Sequence, residues 1–167
     1  MKIIVFRAKT LLIICLIIGV LLSTLYTPAV QSVFSASNGR SLPIYSVQTE
    51  EKKVAIGINC AWDDSDIPSM LSCLAEQEVN ATFFLLGEWA EKYPVSAATI
   101  AKSGQEIGSH SYSHRDLDGL SQSEILNEIS QSQQSIQKAC GQTPVLFRPP
   151  SGSYNDAVID CIHQSGC

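Results

Sequence analysis

The chain has 167 residues, carries a formal net charge of −5 and is 45% hydrophobic. That length holds one domain, and that hydrophobic share suits a packed core rather than a disordered tail. No run of Lys or Arg occurs beyond the first ten residues, so the sequence offers no basic face for a nucleic acid.

Lys2, Arg7 and Lys9 precede an apolar run over 11–22 that continues uncharged through Tyr26. A basic head followed by an apolar block directs a chain to export, with the positive end left in the cytoplasm. Residues 1–26 therefore read as a signal peptide or signal anchor. The block is long for a signal and slightly short of the ~20 residues of a membrane span. Small residues at Ala29 and Ser35-Ala36 permit cleavage. Either way, the chain meets the membrane through this apolar segment, and the remainder works outside it, in the cell envelope. Residues 27–51 are rich in Ser, Pro, Gln and Asn and lack periodicity, which reads as a linker. The domain then occupies 52–167.

Residues 52–58 are a short apolar strand led by charges. Residues 66–77 have an acidic cap in Asp66, a proline in the first turn and apolar residues at helical spacing. Residues 80–86 are a continuous apolar strand, the pattern of burial on both faces. A helix follows over 88–102, bent or broken at Pro94, and a third strand over 105–109. Ser121 and Glu124 make a capping-box pattern, opening a helix with Ile125, Ile129, Ser132 and Ile136 on one side. Gly141 and Pro144 end it. Residues 144–147 are a fourth strand and 155–164 a further helix. This βαβαβαβα order with short connections implies an α/β fold with a parallel sheet or barrel.

Of the six cysteines, Cys15 lies in the apolar block. The remaining five are odd in number and irregularly spaced, which does not make a disulfide framework. Cys73 and Cys140 read as buried free thiols.

Polar residues gather after the strands. Asn59-Cys60-Ala61-Trp62-Asp63-Asp64 follows the first, His110 and His114 the third, and Arg148-Pro149-Pro150-Ser151-Gly152-Ser153-Tyr154 the fourth. In a parallel α/β fold all strand C-termini point one way, so the three clusters converge on one rim, where ligands bind. His110 and His114, four apart, can meet one cation. Singly, each cluster has a plainer account: solvent-facing histidines, an acidic turn with a helix cap, a stiff loop with a solvated arginine, and a Trp62 packed under its loop.

These motifs resemble those of the polysaccharide deacetylase family, the NodB-homology or carbohydrate esterase 4 group. The resemblance is carried by residues 53–62, by Ala81-Thr-Phe-Phe-Leu-Leu-Gly87, by Glu106-Ile-Gly-Ser-His-Ser-Tyr-Ser-His114 and by Phe147-Arg-Pro-Pro-Ser-Gly-Ser-Tyr154. The alanine and tryptophan after the first strand are similar to the sporulation-associated branch. The resemblance implies a distorted (β/α) barrel of the NodB-homology type that removes N-acetyl groups from chitin-like or peptidoglycan polysaccharide. It implies a divalent cation, usually zinc, held by one Asp and two His, the histidines mapping onto His110 and His114. The metal polarises the acetamide carbonyl and activates a water, with a carboxylate after the first strand as base. Arg148 would orient that base and the backbone N–H near Ser151 would bind the oxyanion. Trp62, Pro150, Ser151 and Tyr154 would face the sugar.

The chain departs from the family pattern in three places. The family's Asp-Asp after the first strand reads Asn59-Cys60 here, and an amide cannot accept a proton at neutral pH. Cys60 as a thiolate could complete a Cys-His-His zinc site, or it could be an inert buried thiol. Asp63 or Asp64 could supply either the metal ligand or the base. Ser151 stands where the family often has Tyr. Finally, the family continues through strands bearing an Asp-Trp motif and a late histidine that acts as general acid. His163 lies in a helix and reads as a surface histidine instead. An incomplete barrel is thus expected in this chain, and with it either catalysis or a pseudo-enzyme that grips glycan without turnover.

Overall fold

The computed structural model describes residues 41–167. The segment 1–26 and the linker up to residue 40 lie outside the described residues. Among those described, no helix is long and apolar enough to cross a membrane.

Residues 41–56 form neither helix nor strand. The first strand starts later than predicted: β1 is Gly57–Cys60, and Val54 ahead of it is 90% exposed. Regular pairing begins only at Gly57, opposite Thr82. Helix α1 is Ile67–Glu76, with Pro68 in its first turn and Asp66 at the N-cap position without a side-chain capping bond. Strand β2 is Thr82–Leu85. The helix predicted over 88–102 is two helices, α2 Gly87–Lys92 and α3 Pro94–Lys102. Proline has no N–H to continue the ladder, but it opens a helix well, so the chain breaks at Tyr93 and restarts at Pro94. Strand β3 is Glu106–Ser109.

Helix α4, Gln122–Cys140, has the full capping box between Ser121 and Glu124 and ends at Gly141 in the left-handed region, φ 74°. Its Ile125, Ile129, Ser132 and Ile136 are all buried, as their spacing predicts. A 3₁₀ turn covers Pro150–Gly152. Helix α5, Asp156–Gln164, is capped by the Asn155 side chain, which accepts from the Val158 N–H.

The three strands form one parallel sheet in the order β1-β2-β3. The predicted fourth strand contributes a single parallel bridge, Ser109 to Phe147. It holds by two bonds, Ser109 N–H to the Leu146 carbonyl and Arg148 N–H to the Ser109 carbonyl, each 2.8 Å. Pro144 can donate nothing to a longer ladder.

Alternation along the strands separates two faces. Cys60, Phe83, Leu85 and Ile107 face the helices, packing with Ile67, Trp89, Ala97, Ile100 and Ile136 in the main core. Asn59, Phe84 and Gly108 lie side by side in register on the other face. A second cluster joins Leu117, Ile125, Ile129, Val158 and Cys161. Burying side chains of this size contributes about 1.5–3 kcal/mol each. Cys73, predicted to be buried, is exposed and Cys140 is half-buried. Ile67, Met70, Leu71 and Leu74 carry the apolar stripe of α1, and position 73 falls off it.

Candidate active site

His110 leaves β3 with its N–H bonded to the Leu85 carbonyl at 2.8 Å, and the residue is 2% exposed. Its Nδ1 lies 2.7 Å from the Arg148 carbonyl oxygen. A carbonyl only accepts, so the proton sits on Nδ1 and the Nε2 lone pair is free. This is how a ligating imidazole is usually oriented. Burial lowers the His110 pKa, with the His114 and Arg148 charges adding to it against the raising effect of the Arg148 carbonyl. The ring is therefore neutral at pH 7, as a ligand must be. The His114 ring centroid is 5.2 Å away, nearly perpendicular at 81°. The turn between them is tight: Ser111 and His114 have φ of 71° and 62°, left-handed values that cost a non-glycine residue on the order of 1 kcal/mol.

Trp62, predicted to pack under its loop in the plainer account, is 78% exposed. Its ring centroid is 6.0 Å from that of His114. It offers an open aromatic surface beside the histidines. A groove of about 310 Å³ runs along the same loop, lined by Ile58, Asn59, Trp62, Asp63 and Met70 among others.

Arg148 spans the open face of the sheet. Its Nη1 donates to Asn59 Oδ1 at 2.9 Å, and its Cζ lies 4.0 Å from the centroid of the Phe84 ring. Gly57 makes this possible, since a Cβ there would sit 2.2 Å from Nη2. Gly108 does the same for Phe84, whose Cδ1 would be 2.5 Å from a Cβ. The arginine is thus seated by two strands and an aromatic ring, and its side-chain acceptor is a neutral amide.

The acidic candidates lie elsewhere. Asp63 accepts from the Asp64 N–H at 2.8 Å and from Ser65 Oγ at 2.6 Å. The Ser65 bond first, then the Asp64 N–H, hold its carboxyl below the usual range. Asp64 accepts from Ser96 Oγ on α3 at 2.5 Å. Cys60 is 4% exposed in the main core, one residue out of phase with Asn59. Desolvation first, and the Asp66 charge second, push its thiol up to about 12. Among the described residues no three His, Cys, Asp or Glu side chains gather to hold a metal ion. The two neighbouring imidazoles are donors of the type a divalent cation takes; a third protein ligand is not brought beside them among the described residues.

Pro150 is buried and Ser151 exposed, the latter at φ 55°. The Tyr154 ring packs on the second cluster, and its hydroxyl is 2.5 Å from that of Tyr45. His163 is exposed on α5. One residue escaped the sequence reading: Glu128, 6% exposed on α4. Its signal was a carboxylate within the apolar stripe of that helix.

The family model described as polysaccharide deacetylase matches residues 46–167. The chain is 41% identical to an uncharacterised protein, YlxY, of Bacillus subtilis (strain 168), over 71% of this chain and 37% of that protein. It is 36% identical to a peptidoglycan-N-acetylglucosamine deacetylase of Bacillus cereus, over 65% of this chain and 39% of the relative. The fold superposes on a carbohydrate esterase family 4 pseudoenzyme from Bacillus anthracis with a TM-score of 0.68 at 35% identity, over 70% of this chain and 42% of that one. A mutant of that pseudoenzyme described as having restored enzymatic activity gives the same TM-score, 0.68, at 35% identity, over 70% and 43% of the two chains. The chain thus spans roughly two fifths of the length of each of these proteins. Its motifs, its parallel α/β sheet and a family match over the whole region from residue 46 onward agree, and the chain belongs to the polysaccharide deacetylase family.

Proposed function

We propose that this domain acts on acetylated cell-envelope polysaccharide, removing N-acetyl groups from N-acetylglucosamine or N-acetylmuramic acid units as a metal-dependent hydrolase. The observation that supports it is the meeting of Trp62, His114, His110 and the Arg148–Asn59 pair on one rim. An exposed aromatic for a sugar face, a neutral imidazole with a free Nε2 and a seated guanidinium are what recognition of an acetamido sugar needs. The peptidoglycan deacetylase among the relatives favours a cell-wall substrate. Zinc is the cation that two imidazoles suit, with His110 and His114 holding it. Of the other residues expected to face the sugar, Ser151 is exposed and its backbone is open to the glycan, whereas Pro150 is buried and the Tyr154 ring packs on the second cluster, so neither of these two side chains serves as a wall. Asp64 or Asp63 would supply the ligand or base; each holds a serine hydroxyl, from Ser96 and Ser65, and keeps further lone pairs on its carboxylate. The domain, 52–167, works outside the cytoplasmic membrane, secreted or anchored through residues 1–26 and joined by the linker 27–51.

A second reading, glycan binding without turnover, is favoured by Asn59, which occupies the base position and cannot take a proton. Acetate release from acetylated chito-oligomers and peptidoglycan fragments, measured for the full chain and for Asn59→Asp, separates the two. Turnover by the original chain supports the hydrolase. Glycan binding without acetate, with release gained by Asn59→Asp, establishes the second reading. Calorimetry with zinc should show affinity lost in the His110→Ala/His114→Ala variant; an unchanged affinity removes the metal from both.

A further inference from the structure

The turn that joins the two histidines is fastened from outside the motif, by Glu128. Its Oε2 accepts from Ser111 Oγ at 2.8 Å, from the Tyr112 N–H at 3.1 Å and from the Ser113 N–H at 3.0 Å. Its Oε1 accepts from Ser113 Oγ at 2.6 Å. Two of the three N–H groups (Tyr112, Ser113) and both serine hydroxyls between His110 and His114 therefore end on the carboxylate of Glu128, a residue 6% exposed; the Ser111 N–H goes to Ser109 Oγ and the Tyr112 hydroxyl to Glu91. The matching carbonyls are also taken: Ser111 O accepts from the Gly87 N–H at 3.0 Å and Tyr112 O from the Glu88 N–H at 3.1 Å. No buried side-chain polar atom is left without a partner among the described residues.

A buried carboxylate is costly unless its oxygens are satisfied, and here the satisfaction is specific. Two successive N–H groups reach one oxygen only if the chain curls around it. The left-handed Ser111 and His114 at either end of the curl are the conformations that such a curl demands. His110 is pinned at the other side by the Arg148 carbonyl. Among the described residues the His114 ring makes no bond to a backbone carbonyl such as the one that pins His110, so its direction depends on the turn that precedes it.

We propose that Glu128 is the positioning residue of the histidine motif, setting the separation and mutual angle of His110 and His114 without touching either ring. The inference rests on the reading of that pair as the ligand-holding groups. It acts through the four hydrogen bonds its oxygens accept, and the carboxylate charge strengthens them without being needed for the turn's shape. Glutamine in the same rotamer keeps a carbonyl oxygen at the Oε2 position, and its amide N–H₂ then meets Ser113 Oγ, a hydroxyl that can turn to accept. Alanine removes all four acceptor contacts and leaves the turn's donors unpaired in a buried place.

The test compares Glu128→Ala, Glu128→Gln and a control, Ile136→Val, which loosens the core from the same helix. Amide exchange at Tyr112 and Ser113, read against the β2 amides, should speed up about tenfold or more in Glu128→Ala, the scale of one buried hydrogen bond lost. It should stay within about threefold in Glu128→Gln, and unchanged relative to β2 in Ile136→Val. Nitrogen-15 spectra of the imidazoles should keep the single His110 tautomer in Gln and Val variants, with His114 signals dispersed or averaged in the Ala variant. Zinc titration should weaken about tenfold in Glu128→Ala alone. Uniform loss in all three variants, or a Glu128→Ala turn as protected as the original, overturns the proposal. If the original chain binds no zinc, the metal reading fails by itself, and the exchange and tautomer measurements still decide the role of Glu128.

Discussion

Gly57→Ala tests whether Arg148 is seated by its cradle. The backbone of Gly57 is ordinary extended strand, so alanine fits it and should by itself stabilise the fold by about 0.4–1 kcal/mol through the unfolded chain. The new Cβ, however, would stand 2.2 Å from Arg148 Nη2, where ordinary contact starts at 3.4 Å. The guanidinium must then retreat by at least 3.4 − 2.2 = 1.2 Å. A shift of that size breaks the 2.9 Å bond to Asn59 and weakens the stacking of the guanidinium on the Phe84 ring. At this half-open rim the bond is worth about 1 kcal/mol and the cation–π contact about 0.5 kcal/mol. Gly57→Ala should therefore cost roughly 0.5–1 kcal/mol in the original chain and gain a similar amount in an Arg148→Ala background. The coupling, about 1.5 kcal/mol, stands well above the scatter of independent sites. Urea unfolding of the four members of the cycle measures it. Equal effects in both backgrounds would refute the seating of Arg148 described above.

Ser121→Ala should cost about 1 kcal/mol by removing the cap of α4, with Ser121→Asp near neutral; thermal unfolding separates them. Iodoacetamide at neutral pH should label exposed Cys73 while Cys60, buried and pushed up to about 12, stays unmodified until the domain unfolds; peptide mapping reads this directly. Glu128 gives a pH signature. Burial would raise its pKa, but the Ser113, Ser111 and Tyr112 bonds outweigh this and hold it below the usual range. A carboxyl depressed in the folded state contributes stability above its unfolded pKa, about 4.3, and loses it as pH falls through the folded value. The stability gap between the original chain and Glu128→Gln should be widest near neutrality and close in acid. A gap that widens on acidification contradicts the hydrogen-bond pattern at Glu128.

Local signals read well wherever they were sufficient. The capping box at Ser121 and Glu124, the isoleucines spaced along α4 and the stop at Gly141 each name their own place in a helix, and all three hold. The break at Pro94 follows from the missing N–H alone. What depends on a partner strand did not read so well. The apolar residues 54–56 and 144–146 look like strand on propensity, yet β1 starts at Gly57 and the later segment offers one bridge. At the site, convergence of the histidines with Arg148 followed from strand polarity. The face occupied by Cys60 did not, because a one-residue phase shift decides between rim and core, and only the register with β2 fixes it. Asp63 and Asp64 looked free in sequence; their serine partners Ser65 and Ser96 became visible only in three dimensions.

Helix α4 spans 19 residues, about 28 Å. Ile136 belongs to the main core, whereas Ile125 and Ile129 belong to the second cluster. The two apolar clusters therefore share a backbone, and neither can melt while the other keeps this helix intact. Glu128 sits on the same rod, so the histidine turn belongs to the same cooperative unit and is not a lid free to sample conformations by itself. While Glu128 holds the turn, heat, denaturant or a core substitution far from the rim should thus blunt ligand recognition at the same point at which the fold gives way; only a change at Glu128 itself uncouples the two.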